Sequence, residues 1–252
     1  MAGHSKWATT KHRKAAQDKK RSALFSKLSR NIYVAAKEGG SPDPDNNAAL
    51  AAAIEKAKSY SLPKDRIEAA INKAFGGGEA ESYEEVVYEG YGPGGIAVYV
   101  TALTDNRNRT AADVRSAFTR AGGNLASTGA VAFQFERKGE ITVRKETAPD
   151  EEELLLAVME AGGDDLEDDG EVWTVVTDPA ELVRVRNGLE QAGVEVSGAE
   201  LVMKPNNLVA LDVGEAKKVV RLVETLEDLD DVQDVYHNLE LTDELAAALD
   251  AE

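Results

Sequence analysis

The chain has 252 residues, of which 42% are hydrophobic and 30% charged, and its formal net charge is -17. This composition is typical of a folded protein and excludes an intrinsically disordered one. The sequence has no run of about 18 apolar residues, which excludes a membrane-spanning helix. It also has no cysteine, which excludes disulfides, thiolate metal ligands and cysteine nucleophiles.

Positive charge is concentrated at the start of the chain. Residues 1–30 carry nine Lys and Arg and one Asp, a net charge of +8, whereas residues 31–252 carry the other 20 Lys and Arg and 45 Asp and Glu, a net charge of -25. This asymmetry predicts a basic arm that meets a polyanion and an acidic body that stays in solvent. A secretory signal is excluded because no apolar core follows the cations, and a mitochondrial transit peptide is the nearer alternative. We expect a cytoplasmic protein.

The N-terminal third shows helical periodicity. Its predicted helices carry apolar stripes within residues 24–35, 50–57 and 67–74. This spacing places the apolar side chains of each segment on one helical face. Pro63 suits the first position of the third helix, and the glycines at 76–78 are typical of a linker. Residues 1–78 are therefore predicted to form a basic arm and a small helical bundle.

The composition of the next segment is typical of a β-sheet. Residues 83–88, 96–103 and 131–135 are rich in β-branched and aromatic residues, which predicts strands. The glycines of EGYGPGG, between the first two strands, are interpreted as a turn, because a phosphate-binding glycine loop must open a helix. Residues 109–121 are predicted to form a helix that begins with a capping box of Thr110 and Asp113.

The order of elements in residues 139–204 is strand, helix, two strands, helix, strand, which is the ferredoxin-like βαββαβ arrangement. A short strand at 208–211, a helix at 215–228 and a strand at 232–238 are then predicted to complete the sheet that begins at residue 83. The predicted fold class is α+β: an N-terminal helical bundle followed by two α/β sandwich domains, the last inserted in the middle one. The predicted boundaries are 1–78 for the arm and helical domain, 79–136 with 206–240 for the middle domain, 137–205 for the inserted domain, and 241–252 for a C-terminal tail.

The sequence contains no pattern that indicates catalysis or a metal site. Neither an HExxH motif nor a calcium-loop spacing occurs, and no arrangement of Ser, His and Asp is recognisable. The acidic run DDLEDD at 164–169 is interpreted as a solvated turn. We therefore predict that the protein is not an enzyme and uses no cofactor, metal or small-molecule substrate.

The segment TDNRNRT at 104–110 has two interpretations. It places two arginines at the start of a helix, where backbone N–H groups also attract anions. In the first interpretation it is an anion-binding loop formed by Asn106, Arg107, Asn108, Arg109 and Thr110. In the second, the asparagines cap the helix and the arginines pair with acids of the body. The sequence leaves both open.

The opening block, MAGHSKWATTKHRKAAQDKKR, is the strongest functional feature. Its cations would neutralise phosphates and release counterions, and Trp7 offers a plane on which an unpaired base can stack. The alternative is a disordered, solubilising leader. A narrow arm inserted into a folded RNA would keep the acidic body away from phosphates, which favours RNA over a long DNA site. Salt screens the repulsion between phosphates and distant carboxylates over about 8–10 Å, so the charge distribution does not decide against DNA.

Several long strings resemble the YebC/PmpR family of bacterial proteins, to which the mitochondrial translational activator of cytochrome c oxidase is related. They are MAGHSKW, KHRKAAQDKKR, YEGYGPGG and ALTDNRNRTAADVRSAF, and the resemblance continues to LEDLDDVQDVYHN. It implies three domains, and either DNA-binding transcriptional regulation or a ribosome-associated role in relieving stalls, with the N-terminal segment near the peptidyl-transferase region. The residues that it implies in RNA contact are Gly3, His4, Ser5, Lys6, Trp7, Lys11, His12, Arg13 and Lys14.

The charge pattern extends the predicted nucleic-acid-binding set along the chain to Lys19, Lys20, Arg21, Lys27 and Arg30. The function predicted first is a non-enzymatic translation factor that contacts ribosomal RNA or tRNA through its basic arm. The alternative is a DNA-binding transcriptional regulator, and an enzyme with an unrecognised pocket comes third. No membrane partner is expected.

Overall fold

The structure, a computed structural model, describes residues 18–76 and 82–251. In these ranges eight α-helices and two four-stranded sheets form a mixed α+β fold. The described residues divide into two compact units, one with residues 18–76 and 137–202 and the other with residues 82–136 and 203–251. None of the helices in these ranges is both long and apolar enough to cross a membrane.

The N-terminal part contains the three predicted helices, α1 (Asp18–Glu38), α2 (Ala48–Ser59) and α3 (Lys64–Phe75). The predicted apolar stripes form its core, in which Ile32 and Leu50 are fully buried. Asn47 joins two of the helices, because its amide group donates to the Ala35 carbonyl at 2.9 Å and its oxygen accepts from the Leu50 N–H at 3.1 Å. It thus satisfies backbone groups at the end of α1 and the start of α2.

The next elements are β1 (Glu84–Tyr91), β2 (Ala97–Thr104), α4 (Arg107–Ala121) and the short β3 (Asn124–Leu125). Strands β1 and β2 form an antiparallel hairpin, and β3 pairs with the other edge of β1. A Cβ atom at Gly90 would lie 2.6 Å from the Phe118 ring, so only glycine fits where α4 packs on β1. EGYGPGG is the hairpin turn, as predicted.

Residues 135–205 contain β4 (Phe135–Arg144), α5 (Glu151–Ala161), β5 (Asp165–Asp168), β6 (Val172–Thr177), α6 (Leu182–Gln191) and β7 (Val196–Pro205). This is the predicted βαββαβ order, and the sheet order is β5-β6-β4-β7. Helices α5 and α6 bury Leu154 and Leu189 against Ile141 and Val175 of the sheet.

The last elements are α7 (Val213–Glu227), β8 (Val232–His237) and α8 (Asp243–Asp250). Strand β8 pairs antiparallel with β2, which completes a sheet of order β3-β1-β2-β8. The prediction that the chain returns to the first sheet after residue 205 is therefore confirmed. Helix α8, capped by Thr242, occupies the segment that was predicted as a tail.

Four local predictions were wrong. Residues 131–135 do not form a strand, because Ala132–Gln134 is a 3-10 turn and Phe135 already begins β4. Residues 208–211 give only a single bridge, between Val209 and Leu239. The acidic run at 164–169 contributes β5, and its last member, Asp169, is buried. The capping box failed as well, because Asn106 caps α4 instead of Thr110.

Candidate nucleic-acid interface

Most of the predicted interface lies outside the described residues. This group contains Gly3, His4, Ser5, Lys6, Trp7, Lys11, His12, Arg13 and Lys14. Lys19 and Lys20 lie in the first turn of α1, and their side chains are also outside the description. The structure therefore describes the base of the arm, where α1 enters the helical bundle.

The described part of the predicted set consists of Arg21, Lys27 and Arg30 on α1. Arg21 is exposed, and its guanidinium lies over the Phe25 ring at 5.3 Å from the centroid. Lys27 and Arg30 are half-buried. Successive residues of an α-helix are about 100° apart, so the side chains of Lys27 and Arg30 leave the helix on other sides than Leu28, which faces the core. The three cations therefore extend the basic character of the arm into a folded helix.

Two further cations of the helical bundle meet at one aromatic ring. The ammonium groups of Lys37 on α1 and Lys73 on α3 lie 5.4 and 5.7 Å from the centroid of the Tyr33 ring. Lys37 also donates a hydrogen bond to the Tyr33 hydroxyl at 3.2 Å. Each contact of this kind contributes about 0.5–1 kcal/mol at exposed sites. Sequence reasoning did not include Lys73, because the ring that gathers the two cations is recognised only after α1 and α3 pack.

Charge separates the helical bundle from the rest of the chain. Residues 18–76 carry 11 Lys and Arg and seven Asp and Glu, a net charge of +4. Residues 1–17 add four cations and no acid, so that residues 1–76 have a net charge of +8 and residues 77–252 one of -25. The arm and the bundle together therefore form the cationic part of an acidic protein.

The loop before α4 has the second of the two arrangements that the sequence left open. The Asn106 side chain accepts a hydrogen bond from the Arg109 N–H at 3.1 Å and caps the helix. One Arg107 nitrogen lies 3.6 Å from a Glu84 oxygen. The Arg109 guanidinium lies 2.8 Å from carboxylate oxygens of both Asp105 and Asp231. Anion binding by this loop stays a prediction, and an anion would have to compete with these carboxylates.

Asp231 connects this loop to the start of β8. Its Oδ2 atom accepts hydrogen bonds from Arg109 and, at 2.7 Å, from the buried hydroxyl of Thr110. The hydrogen bonds to Asp231 and Asp105 hold the pKa of Arg109 well above its ordinary value. The hydroxyl groups of Thr110 and Thr104 are also hydrogen-bonded to each other, with 2.7 Å between the two oxygens. Arg109 and Thr110 thus have a structural role in joining α4 to the sheet, whereas Asn108 is exposed in the first turn of the helix.

The acidic residues do not assemble a metal site within the part of the chain that the structure describes. Asp168 pairs with Lys145 at 2.5 Å, and this hydrogen bond, with a second from the Gly170 N–H, lowers the pKa of Asp168. Asp169 accepts a hydrogen bond from the Thr174 hydroxyl at 2.6 Å. These carboxylates have protein partners and belong to the edge of the second sheet.

Two family models match this chain. One, described as the TACO1/YebC protein N-terminal domain, covers residues 5–77, and the other, described as the TACO1/YebC second and third domain, covers residues 83–239. The chain belongs to the TACO1/YebC family. The first TACO1/YebC match contains the arm and the helical bundle, and the second contains both sheets. The predicted domain boundaries, including the insertion of residues 137–205, stay a prediction.

Relatives of this TACO1/YebC chain are similar over nearly their full length. A protein of Rubrobacter xylanophilus is 52% identical over 248 residues, which cover 98% of each chain. One of Lactobacillus acidophilus is 54% identical over 94% of this chain and 97% of its own. Both are named probable transcriptional regulatory proteins. The crystal structure of a conserved hypothetical protein from Aquifex aeolicus, 47% identical, superposes with a TM-score of 0.79 over 88% of this chain and 91% of that one.

Proposed function

We propose that this protein is a non-enzymatic regulator of gene expression that binds nucleic acid through its basic N-terminal arm and the cationic helix α1. The observation that carries the proposal is the separation of charge, with +8 in residues 1–76 and -25 in the remainder. A polyanion is attracted to the first part and repelled by the second. The relatives' names, which describe probable transcriptional regulators, support the same class of function.

Two partners are compatible with this charge distribution. A DNA-binding transcriptional regulator is the form that the names of the relatives favour. A ribosome-associated translation factor that contacts ribosomal RNA or tRNA and relieves stalling is the second candidate, and the acidic remainder of the chain favours it. A long footprint on duplex DNA would bring phosphates close to many of the carboxylates, whereas a narrow arm that enters a folded RNA would not.

A direct comparison of partners tests the proposal. Binding of the full chain and of a variant without residues 1–21 is measured against a candidate promoter duplex, a scrambled duplex and purified bacterial ribosomes, each at several salt concentrations. The logarithm of the affinity should fall with the logarithm of salt concentration by about 0.9 per phosphate contact on duplex DNA and about 0.7 on single strands. A preference for the promoter duplex supports the transcriptional form, and binding to ribosomes alone supports the translational one.

The contribution of α1 can be separated from a general effect of charge. Replacing Arg21, Lys27 and Arg30 by Gln removes three cations from α1, and replacing Lys217, Lys218 and Arg221 by Gln removes three from α7. Only the first set should weaken binding and reduce the salt dependence. Equal losses from both sets, or full binding by the variant without the arm, would refute the proposal.

A further inference from the structure

Phe133 is the most exposed large apolar side chain in the described ranges, with 72% of its surface accessible. It lies in the 3-10 turn Ala132–Gln134, immediately before β4. An apolar side chain on a mobile surface loop needs no explanation, because single exposed hydrophobic residues are common. Phe133 differs because hydrogen bonds with a buried carboxylate and with other side chains hold the backbone around it.

The buried carboxylate of Glu89 on β1 holds one side of this loop. It accepts hydrogen bonds from three backbone N–H groups, those of Gly129 at 2.7 Å and of Val131 and Ala132 at 2.8 Å each. Burial raises the pKa of Glu89, but the three N–H groups together outweigh it and leave that pKa below the ordinary value. The carboxylate is therefore ionised at neutral pH and holds the backbone at three positions of one loop.

Other groups hold the carbonyl side of the same loop. The Tyr91 hydroxyl donates to the Ala130 carbonyl at 2.9 Å. The Asn206 side chain donates to the Phe133 carbonyl at 3.1 Å, and the Asn206 N–H donates to the Gln134 carbonyl at 2.8 Å. The loop is thus fixed on both sides of Phe133. A rigid loop loses little conformational entropy when a ligand binds, which makes its exposed aromatic side chain an efficient contact.

The loop that carries Phe133 and the segment that is hydrogen-bonded to it contain no charged residue. Residues 121–135 and 205–211, which meet through Asn206, contain no Lys, Arg, Asp or Glu, although 30% of the chain is charged. Exposed hydroxyl and amide groups lie on the same two segments, at Ser127, Thr128 and Asn207. We call Phe133 with these three residues the neutral patch. It combines an aromatic plane with hydrogen-bonding groups and contains no carboxylate of its own.

We propose that the neutral patch binds an unpaired nucleobase, which stacks on the Phe133 ring. This inference rests on the proposed function, since it adds a second nucleic-acid contact to the basic arm. An aromatic plane accepts any base, and hydroxyl and amide groups bind base edges. A protein partner would instead require a larger apolar surface, because the buried core of a protein–protein interface is mostly apolar. One ring among polar groups does not provide such a surface.

Fluorescent single strands test the proposal. The probes are strands of about 12 nucleotides, a length within the usual range for single-strand binding, that carry one 2-aminopurine and are made as RNA, as DNA and as a blunt duplex. Stacking on Phe133 should quench 2-aminopurine in the single strands and not in the duplex. If only the RNA single strand is quenched, the neutral patch binds unpaired bases of RNA. If the RNA and DNA single strands are both quenched, it binds unpaired bases of either nucleic acid.

Substitutions of Phe133 separate stacking from apolar contact. Phe133→Ala should weaken single-strand binding by about 5-fold to 150-fold, since a stacked base contributes about 1–3 kcal/mol. Phe133→Tyr keeps the ring and should bind normally, whereas Phe133→Leu keeps apolar bulk without a ring and should bind as poorly as Phe133→Ala. Met159→Ala, a change at a side chain that is 68% exposed, is the matched control and should have no effect.

The salt dependence separates this inference from the proposed function. Phe133→Ala should lower the affinity at every salt concentration without changing the slope against salt, because it removes no cation. Deletion of residues 1–21 should reduce the slope. If Phe133→Ala binds normally while the deletion weakens binding, the neutral patch is refuted and the proposed function stands. Normal binding by Phe133→Leu also refutes base stacking, and so does absence of single-strand binding by the unaltered protein, whereas the proposed function is decided by the promoter duplex and the ribosomes.

Discussion

Replacing Glu89 by Gln should loosen the loop that carries Phe133 while the side-chain volume stays almost the same. In the protein, one carboxylate oxygen accepts the Gly129 N–H and the other accepts the N–H groups of Val131 and Ala132. Glutamine has a single oxygen, and its amide nitrogen is a donor. Whichever way the amide is oriented, at least one backbone N–H then faces another donor.

The size of the effect follows from these three bonds. A hydrogen bond to a charged group contributes about 1.5–3 kcal/mol, and a buried donor left without an acceptor costs about 1–3 kcal/mol. The variant loses at least one such bond and weakens the others, while it gains by not burying a charge. We therefore expect opening of the loop to become easier by about 2–3 kcal/mol, which corresponds to about 30-fold to 150-fold in the opening equilibrium.

Hydrogen exchange at single residues measures this change directly. The amides of Gly129, Val131 and Ala132 should lose protection by that factor at neutral pH, whereas Glu85→Gln, a change at an exposed carboxylate of the same strand, should leave them unchanged. The reasoning is refuted if Glu89→Gln keeps full protection at these amides, or if the Glu85 control loses as much.

Acid provides a second test of the same carboxylate. The pKa of Glu89 lies below its ordinary value of 4.5, so the stability that it contributes is complete above that value and is lost as the pH falls through the pKa of the folded protein. The unaltered protein should therefore lose loop protection on the acid side, and Glu89→Gln should lack this component. Equal acid profiles for the two proteins would show that Glu89 does not titrate as the structure predicts.

Three further substitutions test contacts that join elements, each by urea unfolding followed by circular dichroism. Asn47→Ala removes a helix cap and one of the two hydrogen bonds to the Ala35 carbonyl, which keeps the Gly39 N–H, so it should lower the free energy of unfolding by about 1–2 kcal/mol, whereas the exposed Asn46→Ala should change it by less than about 0.5 kcal/mol. Asp231→Asn should lower the free energy of unfolding by about 2 kcal/mol. This lies in the lower part of the range for hydrogen bonds to charged groups, because Arg109 is half-exposed and its ion pair with Asp231 is partly screened by water. Glu55→Gln should cost about 1–2 kcal/mol, because it removes a carboxylate from the largely buried guanidinium of Arg186 on α6. No change on Asn47→Ala, Asp231→Asn or Glu55→Gln would contradict the corresponding contact.

The parts of the fold that the sequence predicted depend on local periodicity. The buried positions Leu28, Ile32 and Leu50 recur at the spacing of a helical face, and such a face is visible without knowledge of its partner. The βαββαβ order of residues 135–205 follows from the same alternation of patterns. Both depend on residues close together in the chain, which is why both were predicted correctly.

The parts that were missed depend on distant partners. Thr110 looks like a helix cap in sequence, but its hydroxyl donates to Asp231, 121 positions further along the chain. The alternation of Val131, Phe133 and Phe135 is typical of a strand, yet Glu89 binds the backbone N–H groups there from about 40 positions away and bends the segment into a turn. A pattern within five residues contains no information about such a carboxylate.

The two proposed contacts follow from one electrostatic constraint. Beyond residue 76 the chain has a net charge of -25, so the overall field there opposes contacts that depend on attraction for phosphate. Stacking requires no cation, and a neutral surface is sufficient. The buried charge of Glu89 is compatible with such a surface, because three backbone N–H groups compensate it. Since salt screens the arm and not the ring, the share of the binding free energy due to Phe133 should rise as salt is added.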